Sequence, residues 1–322
     1  MKIVIEIPRW LGDSVMVTPA IENLLASYPD AKLTIFGSQV SCELFREHPN
    51  VERLIVDKSR DGGTRAAKIY SYAKSAGRFD LALSFRSHLY SRLFLFFLSS
   101  PKRYIYSRRK IAHKRGEVLH QVERYSRFVD YITGVERAAG DLKLHYRPYR
   151  YERPTLGINP GATYGSAKRW YPQRFAEAAA AMSESHDIVI FGSAQERDIA
   201  GDIALCLEER GVKNYSNLAG ETDIAELCSH IAGLSLFVTA DSGPMHIAAA
   251  YKIPTVAIFG PTRHRETAQW RNPDGIILRR DMDCAPCMKR ECPLKTHECM
   301  KAIGAQEVVA QLQKLASRAQ KR

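Results

Sequence analysis

Residues 236–259 read LFVTADSGPMHIAAAYKIPTVAIF and contain one complete repeat of a strand–helix–strand pattern. Two β-rich runs, Leu236–Thr239 and Thr255–Phe259, flank a run of helix-favouring residues, Met245–Ala250. A strand, a helix and a second strand in this order are typical of a parallel sheet that is covered by helices on both faces. The segment therefore predicts an α/β unit.

The same alternation recurs through both halves of the chain. The other β-rich runs are Lys2–Ile7, Lys32–Phe36, Arg53–Val56, Leu81–Ser84, Arg103–Tyr106, Thr155–Asn159 and Asp187–Phe191. The other helix-favouring runs are Pro19–Ser27, Ala66–Ala76, Phe175–Met182, Glu196–Glu209, Asp223–Ala232 and Gln306–Gln320. The polar stretch Asp141–Pro154 interrupts this rhythm with two prolines and predicts a linker.

We therefore expect an α/β fold of two doubly wound, Rossmann-like domains, residues 1–145 and 146–322. A chain of 322 residues is too long for one typical domain and long enough for two hydrophobic cores. The last helix could pack back on the first domain.

Composition and charge indicate the compartment and the kind of partner. No run approaches the roughly 20 apolar residues that span a bilayer, and MKIVIEIPRW lacks a signal-peptide pattern, so we expect a cytoplasmic protein. The net charge is +12, and residues 1–150 hold 26 Lys and Arg against 15 Asp and Glu. This positive half should attract nucleic acid, an acidic membrane surface or a phosphorylated substrate.

The first βα turn, Pro8–Ser14 (PRWLGDS), places a carboxylate at the end of the first strand. Only one glycine is present, which excludes the glycine-rich turn of a dinucleotide site. Open α/β sheets bind ligands at the carboxyl ends of their strands, so Asp13 could accept a proton from a substrate hydroxyl. The alternative is that Asp13 or Ser14 caps the following helix.

Two loops of the second half have features of a nucleotide site. The loop Asn159–Trp170 (NPGATYGSAKRW) could bring backbone N–H groups near a phosphate, and Lys168 would add a positive charge. The alternative is an ordinary connection with a solvated Lys–Arg pair. Glu196 begins a predicted helix, where it would suit the helix dipole or bind ribose hydroxyls.

The turn Thr239–His246 (TADSGPMH) builds a helix N-terminus at the end of a strand. Such a terminus is well suited to a diphosphate. Capping by Asp241 or Ser242 is the alternative, but capping does not explain His246 one turn into the helix. The segment Phe259–Thr262 ends the next strand and should lie beside this turn.

Four cysteines cluster near the C-terminus, and a basic segment lies in the first half. The spacing Cys-x2-Cys-x4-Cys-x6-Cys is compatible with a structural zinc site or with reduced thiols remote from the chemistry, in residues Cys284, Cys287, Cys292 and Cys299. The segment Lys102–Arg115 holds seven Lys and Arg and no acidic residue. It could bind nucleic acid, contact anionic lipid head groups or form a solvated face.

Together, the segments WLGDSVMVTPAI, NPGATYGSAKRWYPQRF and TADSGPMHIAAAYKIPTVAIFGPT resemble glycosyltransferase family 9, the ADP-heptose:lipopolysaccharide heptosyltransferases. Trp10, the SFRS run at Ser84–Ser87 and the cysteine-rich CAPCMKRECP segment are most similar to type II members. The resemblance implies a GT-B arrangement, in which two such domains face a cleft. It also implies that residues 1–145 bind the acceptor and that residues 146–322 bind the donor.

The resemblance assigns roles to individual residues. Asp13 matches the general base, and Lys168 matches the lysine that contacts the donor diphosphate. The other implied donor-site residues are Thr163, Glu196, Asp241, Ser242, Gly243, His246 and Thr262. The implied acceptor-site residues are Trp10, Arg86, His120 and Arg124. No catalytic metal and no required cofactor are implied.

The implied reaction is inverting transfer of heptose from ADP-heptose to a phosphorylated Kdo-lipid A acceptor, heptosyl-Kdo2-lipid A. It would take place at the anionic inner face of the inner membrane, with the enzyme bound peripherally and no nucleic acid as partner. The rival functions are heptosyltransferase I, another GT-B nucleotide-sugar transferase, and a basic nucleic-acid-binding protein. The last of these lacks any recognised nucleic-acid-binding module.

Overall fold

The computed structural model describes residues 1–108, 111, 117–161 and 164–319. The chain forms two compact units, Met1–His145 and Tyr146–Arg322. In the described residues, no helix combines the length and the apolar character needed to cross a membrane.

The first unit contains one parallel sheet of five strands in the order β3-β2-β1-β4-β5. Its strands are β1 Lys2–Glu6, β2 Lys32–Gly37, β3 Val51–Val56, β4 Leu81–Ser84 and β5 Lys102–Ile105. Its helices are α1 Leu11–Met16, α2 Thr18–Ser27, α3 Gln39–Glu43, α4 Arg65–Ser75, α5 Leu89–Phe97 and α6 Gln121–Thr133.

The second unit contains one parallel sheet of six strands in the order β11-β10-β9-β6-β7-β8. Its strands are β6 Thr155–Asn159, β7 Asp187–Ile190, β8 Tyr215–Asn217, β9 Leu236–Ala240, β10 Thr255–Ile258 and β11 Gly275–Leu278. Its α-helices are α7 Pro172–Ala180, α8 Arg197–Glu208, α9 Ile224–Ala232, α10 Gly243–Ala250, α11 His264–Thr267, α12 Glu298–Lys301 and α13 Ala305–Ala319.

The central strands form because their residues are apolar on both faces. β6 and β9 are buried at every position, as expected for parallel strands that are covered by helices on both sides. Helix α13 contributes Val308, Leu312 and Leu315 to the core of the second unit. The last helix thus packs within its own unit, and its packing on the first domain stays a prediction.

The structure confirms two parallel-sheet α/β domains, and several elements were missed from the sequence, including two strands and helix α6. β8 and β11 are the edge strands of the second sheet, and β8 is only three polar residues long. Helix α6 is charged and amphipathic, with a left-handed Gly134 at its C-terminal end. This helix matters because it carries Arg124 and follows His120.

Candidate functional site

The sheet of the second unit changes winding direction between β6 and β9. The strands β7 and β8 extend from β6 on one side, and β10 and β11 extend from β9 on the other. The loops that follow β6 and β9 therefore diverge and leave a crevice at the carboxyl ends of these strands, which is the usual ligand position in open α/β sheets. These loops carry Lys168 and Asp241.

Lys168 and Asp241 form a largely buried ion pair at this crevice. The Lys168 Nζ donates to Asp241 Oδ2 at 2.7 Å and to the Asp241 carbonyl at 3.2 Å, and the two side chains are 13% and 8% exposed. The hydroxyl of Thr262 donates to the same carboxylate oxygen at 2.6 Å. Three predicted donor-site residues from three different loops are thus brought together.

The N-terminus of helix α10 lies next to this pair, and the side chain of its N-cap residue does not cap it. Ser242 is the N-cap residue, but its side chain makes no capping hydrogen bond. Its hydroxyl is instead held by Asn159 Nδ2 and Thr239 Oγ1, each at 3.1 Å. Since Asp241 is taken up by Lys168 and Thr262, neither predicted capping residue caps the helix. The N–H groups of its first turn, beginning at Gly243, form the kind of terminus that binds anions.

The remaining predicted donor residues are His246, Glu196 and Thr163. His246 is buried one turn into α10. Glu196 is buried and forms a reciprocal capping box with Ser193, whose N–H and hydroxyl donate to Glu196 Oε2 at 2.8 and 2.9 Å. Its carboxylate also packs against Gly161, where a Cβ would lie 2.5 Å from Oε1. Glu196 therefore lies at the start of a helix, as the sequence predicted, and its binding of ribose hydroxyls stays a prediction. Thr163 lies outside the described residues.

In the first unit the sheet changes direction between β1 and β4, and Asp13 follows β1 at this point. Helix α1 begins at Leu11 with Trp10 as its N-cap residue, and the Trp10 side chain makes no capping hydrogen bond. Asp13 is therefore a half-buried residue of the first turn and not the cap. Ser14 Oγ lies within 3.0 Å of the Pro8 and Trp10 carbonyl oxygens, which fixes the start of the helix.

Arg86 follows β4 on the other side of this point and is bound to Glu6. Arg86 Nη1 lies 3.1 Å from Glu6 Oε1, and the side chains are 9% and 3% exposed. The hydroxyls of Ser84 and Ser91 donate to the two carboxylate oxygens at 2.6 and 2.9 Å. Burial raises the pKa of Glu6, and the charge of Arg86 opposes this shift. The acceptor role of Arg86 stays a prediction, because its charge is already paired with a buried carboxylate.

Several arginines gather near the ends of β1 and β4, and sequence reasoning missed most of them. The pKa of Arg9 is lowered by partial burial and by the nearby positive charges of Arg60, Arg86 and Arg65. The guanidinium group of Arg65 lies 3.9 Å from the ring centroid of Tyr90. The sequence did place Arg9 and Arg60 in loops that follow predicted strands. That these loops lie close together depends on the order of the strands in the sheet, which the sequence does not state.

The other predicted acceptor residues lie on α6 or at the N-termini of α1 and α6, two helices that pack against each other. Trp10 is half exposed. His120 is buried and caps α6, since its Nδ1 accepts the N–H of Val122 at 3.2 Å. Arg124 lines a cavity of about 120 Å³. Burial raises the pKa of the Tyr125 hydroxyl on α6, and the nearby charge of Asp13 raises it further.

The cysteine cluster does not form a closed tetrahedral arrangement. Around zinc, bonds of ~2.3 Å place sulfur atoms roughly 3.8 Å apart. Within the described part of the chain, Glu22, His48 and His145 are the one group of three potential ligand atoms that lie within 4.8 Å of one another. No three of the four cysteine sulfurs are grouped in this way. A structural zinc at these cysteines stays a prediction.

The Glu22, His48 and His145 group is better explained as a hydrogen-bonded ion-pair network than as a metal site. His48 Nδ1 accepts the N–H of Asn50, so its Nε2 carries a proton and donates to Glu22 Oε1 at 3.3 Å. Lys143 Nζ lies 2.7 Å from Glu22 Oε2. The hydrogen bond from His48, followed by the contact with Lys143, lowers the pKa of Glu22 to about 2. A cation would have to displace the imidazole proton and face the ammonium group.

Known proteins are similar to this chain over most of its length. The model of glycosyltransferase family 9 (heptosyltransferase) matches residues 73–298. Lipooligosaccharide heptosyltransferase 2 of Campylobacter jejuni serotype O:6 is 39% identical over 98% of this chain and 100% of its own length. Lipopolysaccharide heptosyltransferase 2 of Escherichia coli K12 is 30% identical over 81% of this chain and 83% of its own length.

A solved structure, that of E. coli ADP-heptose lps heptosyltransferase II, is similar over both units. It covers 99% of this chain and 100% of its own with a TM-score of 0.80 and 25% identity. The resemblance to family 9 and to its type II members is confirmed, and with it the prediction of a glycosyltransferase. This chain belongs to glycosyltransferase family 9, the heptosyltransferases.

Proposed function

We propose that this chain is an inverting heptosyltransferase of type II. It transfers L-glycero-D-manno-heptose from ADP-heptose to heptosyl-Kdo2-lipid A in the inner core of lipopolysaccharide. The observation that carries this proposal is the Lys168–Asp241 pair beside the N-terminus of α10, at the switch point of the second sheet. The 39% identity to a heptosyltransferase 2 over nearly the whole chain supports the choice of type II.

The second unit supplies what a departing nucleoside diphosphate needs. The N–H groups of the first turn of α10 and the ammonium group of Lys168 would stabilise the negative charge that develops on ADP. Asp241 and Thr262 hold Lys168 in place before the donor binds. The similar E. coli structure is of an ADP-heptose-dependent enzyme, which supports ADP-heptose as the donor.

The first unit supplies a base and a positively charged surface. Asp13 would remove the proton of the acceptor hydroxyl as that oxygen attacks the heptose. Arg9, Arg60 and Arg65 lie near this turn and would attract the phosphates and carboxylates of a phosphorylated Kdo-lipid A acceptor.

The test is heptosyl transfer by the purified chain, together with ADP binding by the Lys168→Ala variant. We expect transfer from ADP-heptose to heptosyl-Kdo2-lipid A. Lys168→Ala should raise the Kd for ADP roughly 10- to 100-fold, because a charge-assisted contact to phosphate is lost. Calorimetry would measure the binding, and mass spectrometry of the lipid product would measure the transfer.

Lys213→Ala is the matched control, since Lys213 is an exposed lysine of the same unit. It should bind ADP as the wild type does. Transfer to Kdo2-lipid A without the first heptose would indicate a type I enzyme, and transfer from a different nucleotide sugar would indicate another donor class. Equal ADP affinity in the wild type and in Lys168→Ala would remove Lys168 from the donor site.

We further propose that the enzyme works at the anionic inner face of the inner membrane, bound peripherally through its basic first half. Arg108→Glu combined with Arg109→Glu should weaken binding to anionic vesicles by at least about tenfold, because each basic residue near such a surface contributes ~1 kcal/mol. Arg109 lies outside the described residues, as does much of the Lys102–Arg115 segment. Vesicle sedimentation at increasing salt would measure the effect, since screening shortens the field to about 8 Å at physiological ionic strength.

The same charge change in the second unit, Arg210→Glu combined with Lys213→Glu, serves as the control and should leave vesicle binding nearly unchanged. Both double variants should bind ADP normally. Binding that is insensitive to salt, or equal binding to neutral vesicles, would contradict electrostatic docking.

A further inference from the structure

The Cys-rich loop, residues 281–298, is a surface segment with no core of its own. None of its residues is buried, and the first buried position after it is Cys299. It is nevertheless bonded to two loops of the donor site. Its Arg290 carbonyl accepts the N–H of Ala167 at 3.0 Å, and its Met288 N–H donates to the Pro261 carbonyl at 2.8 Å. The Cys-rich loop thus contacts the residues that directly precede Lys168 and Thr262.

The backbones approach each other closely at this contact. A Cβ at Gly165 would collide with the carbonyl oxygen of Arg290. The hydroxyl of Tyr164 donates to the Met288 carbonyl at 2.9 Å. The turn Ser166–Lys168 therefore rests directly on the Cys-rich loop.

The imidazole ring of His297 joins the Cys-rich loop to this turn. Its Nε2 lies 2.9 Å from the carbonyl oxygen of Ala167, and its Nδ1 lies 2.9 Å from the hydroxyl of Tyr171. A carbonyl oxygen can only accept, so Nε2 carries the proton and Nδ1 accepts from Tyr171. The two partners thus fix both the tautomer and the orientation of the ring.

The backbone of His297 is fixed as well. The residue has a φ of 57°, an uncommon value for a residue with a side chain, and its N–H donates to Cys292 Sγ at 3.4 Å. Backbone N–H groups, first that of His297, lower the pKa of the Cys292 thiol. The sulfur of Cys292 therefore organises the tight turn that presents the imidazole ring to Ala167.

We propose that His297 is a positioning residue for Lys168. By holding the carbonyl of Ala167, it fixes the turn Ser166–Lys168 so that the lysine ammonium reaches Asp241 and, with it, the phosphates of a nucleoside diphosphate. The inference rests on the proposed function, because it takes Lys168 to be the donor-site lysine. A histidine outside the donor-site loops would thus set the position of the Lys168 ammonium group.

His297→Ala should raise the Kd for ADP and the KM for ADP-heptose roughly 3- to 10-fold, which corresponds to the loss of one hydrogen bond that orients the site. The KM for the acceptor should not change. His297→Gln keeps a side-chain N–H donor and should restore most of the affinity. Thr296→Ala, at the exposed neighbouring position, should behave as the wild type.

Hydrogen–deuterium exchange provides a measurement that does not depend on turnover. Amide exchange in residues 164–170 should become faster in His297→Ala but not in Thr296→Ala or His297→Gln. A His297→Ala variant with unchanged ADP affinity, or with equal increases in donor and acceptor KM, would overturn the inference and leave the proposed function intact. Failure of the wild type to bind ADP would overturn both.

Discussion

Replacing Asp13 with asparagine should lower kcat for heptosyl transfer roughly 10²- to 10⁴-fold, the usual contribution of a general base. Asparagine is close in size to aspartate but cannot accept a proton at neutral pH. The helix should be retained, because Asp13 is not the N-cap residue of α1 and Ser14 holds the start of the helix through backbone carbonyls. The affinity for ADP should not change, because Lys168, Asp241 and the N-terminus of α10 all belong to the second unit.

Steady-state kinetics with saturating ADP-heptose and saturating acceptor would measure this effect. Asp30→Asn is the matched control, since it makes the same chemical change at an exposed position of the first unit and should leave kcat unchanged. Thermal unfolding of Asp13→Asn should resemble that of the wild type. Near-normal turnover by a folded Asp13→Asn protein would show that another group removes the proton.

The fold was predictable because each central strand is marked by a run of apolar residues in its own sequence. β4 and β6 begin and end where the apolar runs indicated. The edge strand β8 was missed because Tyr215–Asn217 is short and polar, and its pairing with β7 depends on the assembled sheet. Helix α6 was missed although its buried residues Val122, Tyr125, Phe128 and Val129 recur at helical spacing, because its charged residues lower its overall hydrophobicity.

The placement of the predicted donor-site residues at one edge of the sheet was predictable, because each lies in the loop or turn that follows its strand. Lys168 follows β6, Asp241 follows β9 and Thr262 follows β10. Their hydrogen bonds could not be predicted, since the strand order places β6 between β7 and β9 and the sequence does not state that order. For the same reason the sequence could not show that Ser242 bonds to Asn159 instead of capping α10.

Glu6 shows the limit of sequence reasoning most clearly. It is the last residue of β1 and follows the apolar run Ile3–Ile5, and nothing in the sequence names its partner. Its partner Arg86 is 80 residues away and becomes its neighbour because β4 pairs with β1. The prediction of Arg86 as an acceptor contact came from the resemblance alone, and this pairing gives the arginine a structural task as well.

Replacing Arg86 with methionine should lower the free energy of unfolding by about 3–5 kcal/mol at pH 8, because it leaves the Glu6 carboxylate buried without its counter-charge. Ser84 and Ser91 would still donate to that carboxylate, but two neutral hydroxyls do not replace a guanidinium group. The double variant Glu6→Gln with Arg86→Met removes both charges and should recover most of the loss.

The pH dependence distinguishes a buried charge from lost packing. The pKa of Glu6 is raised from 4.5 by burial, and Arg86 opposes that rise, so the pKa should be higher still in Arg86→Met. A carboxyl group with a raised folded-state pKa binds its proton more tightly in the folded state, so its cost to stability grows as the pH rises above the unfolded value and disappears below it. Urea unfolding should therefore show a larger deficit for Arg86→Met at pH 8 than at pH 5, and the double variant should show little change in its deficit. A deficit of equal size at both pH values would mean that Arg86 stabilises the first unit through packing and not through the charge of Glu6.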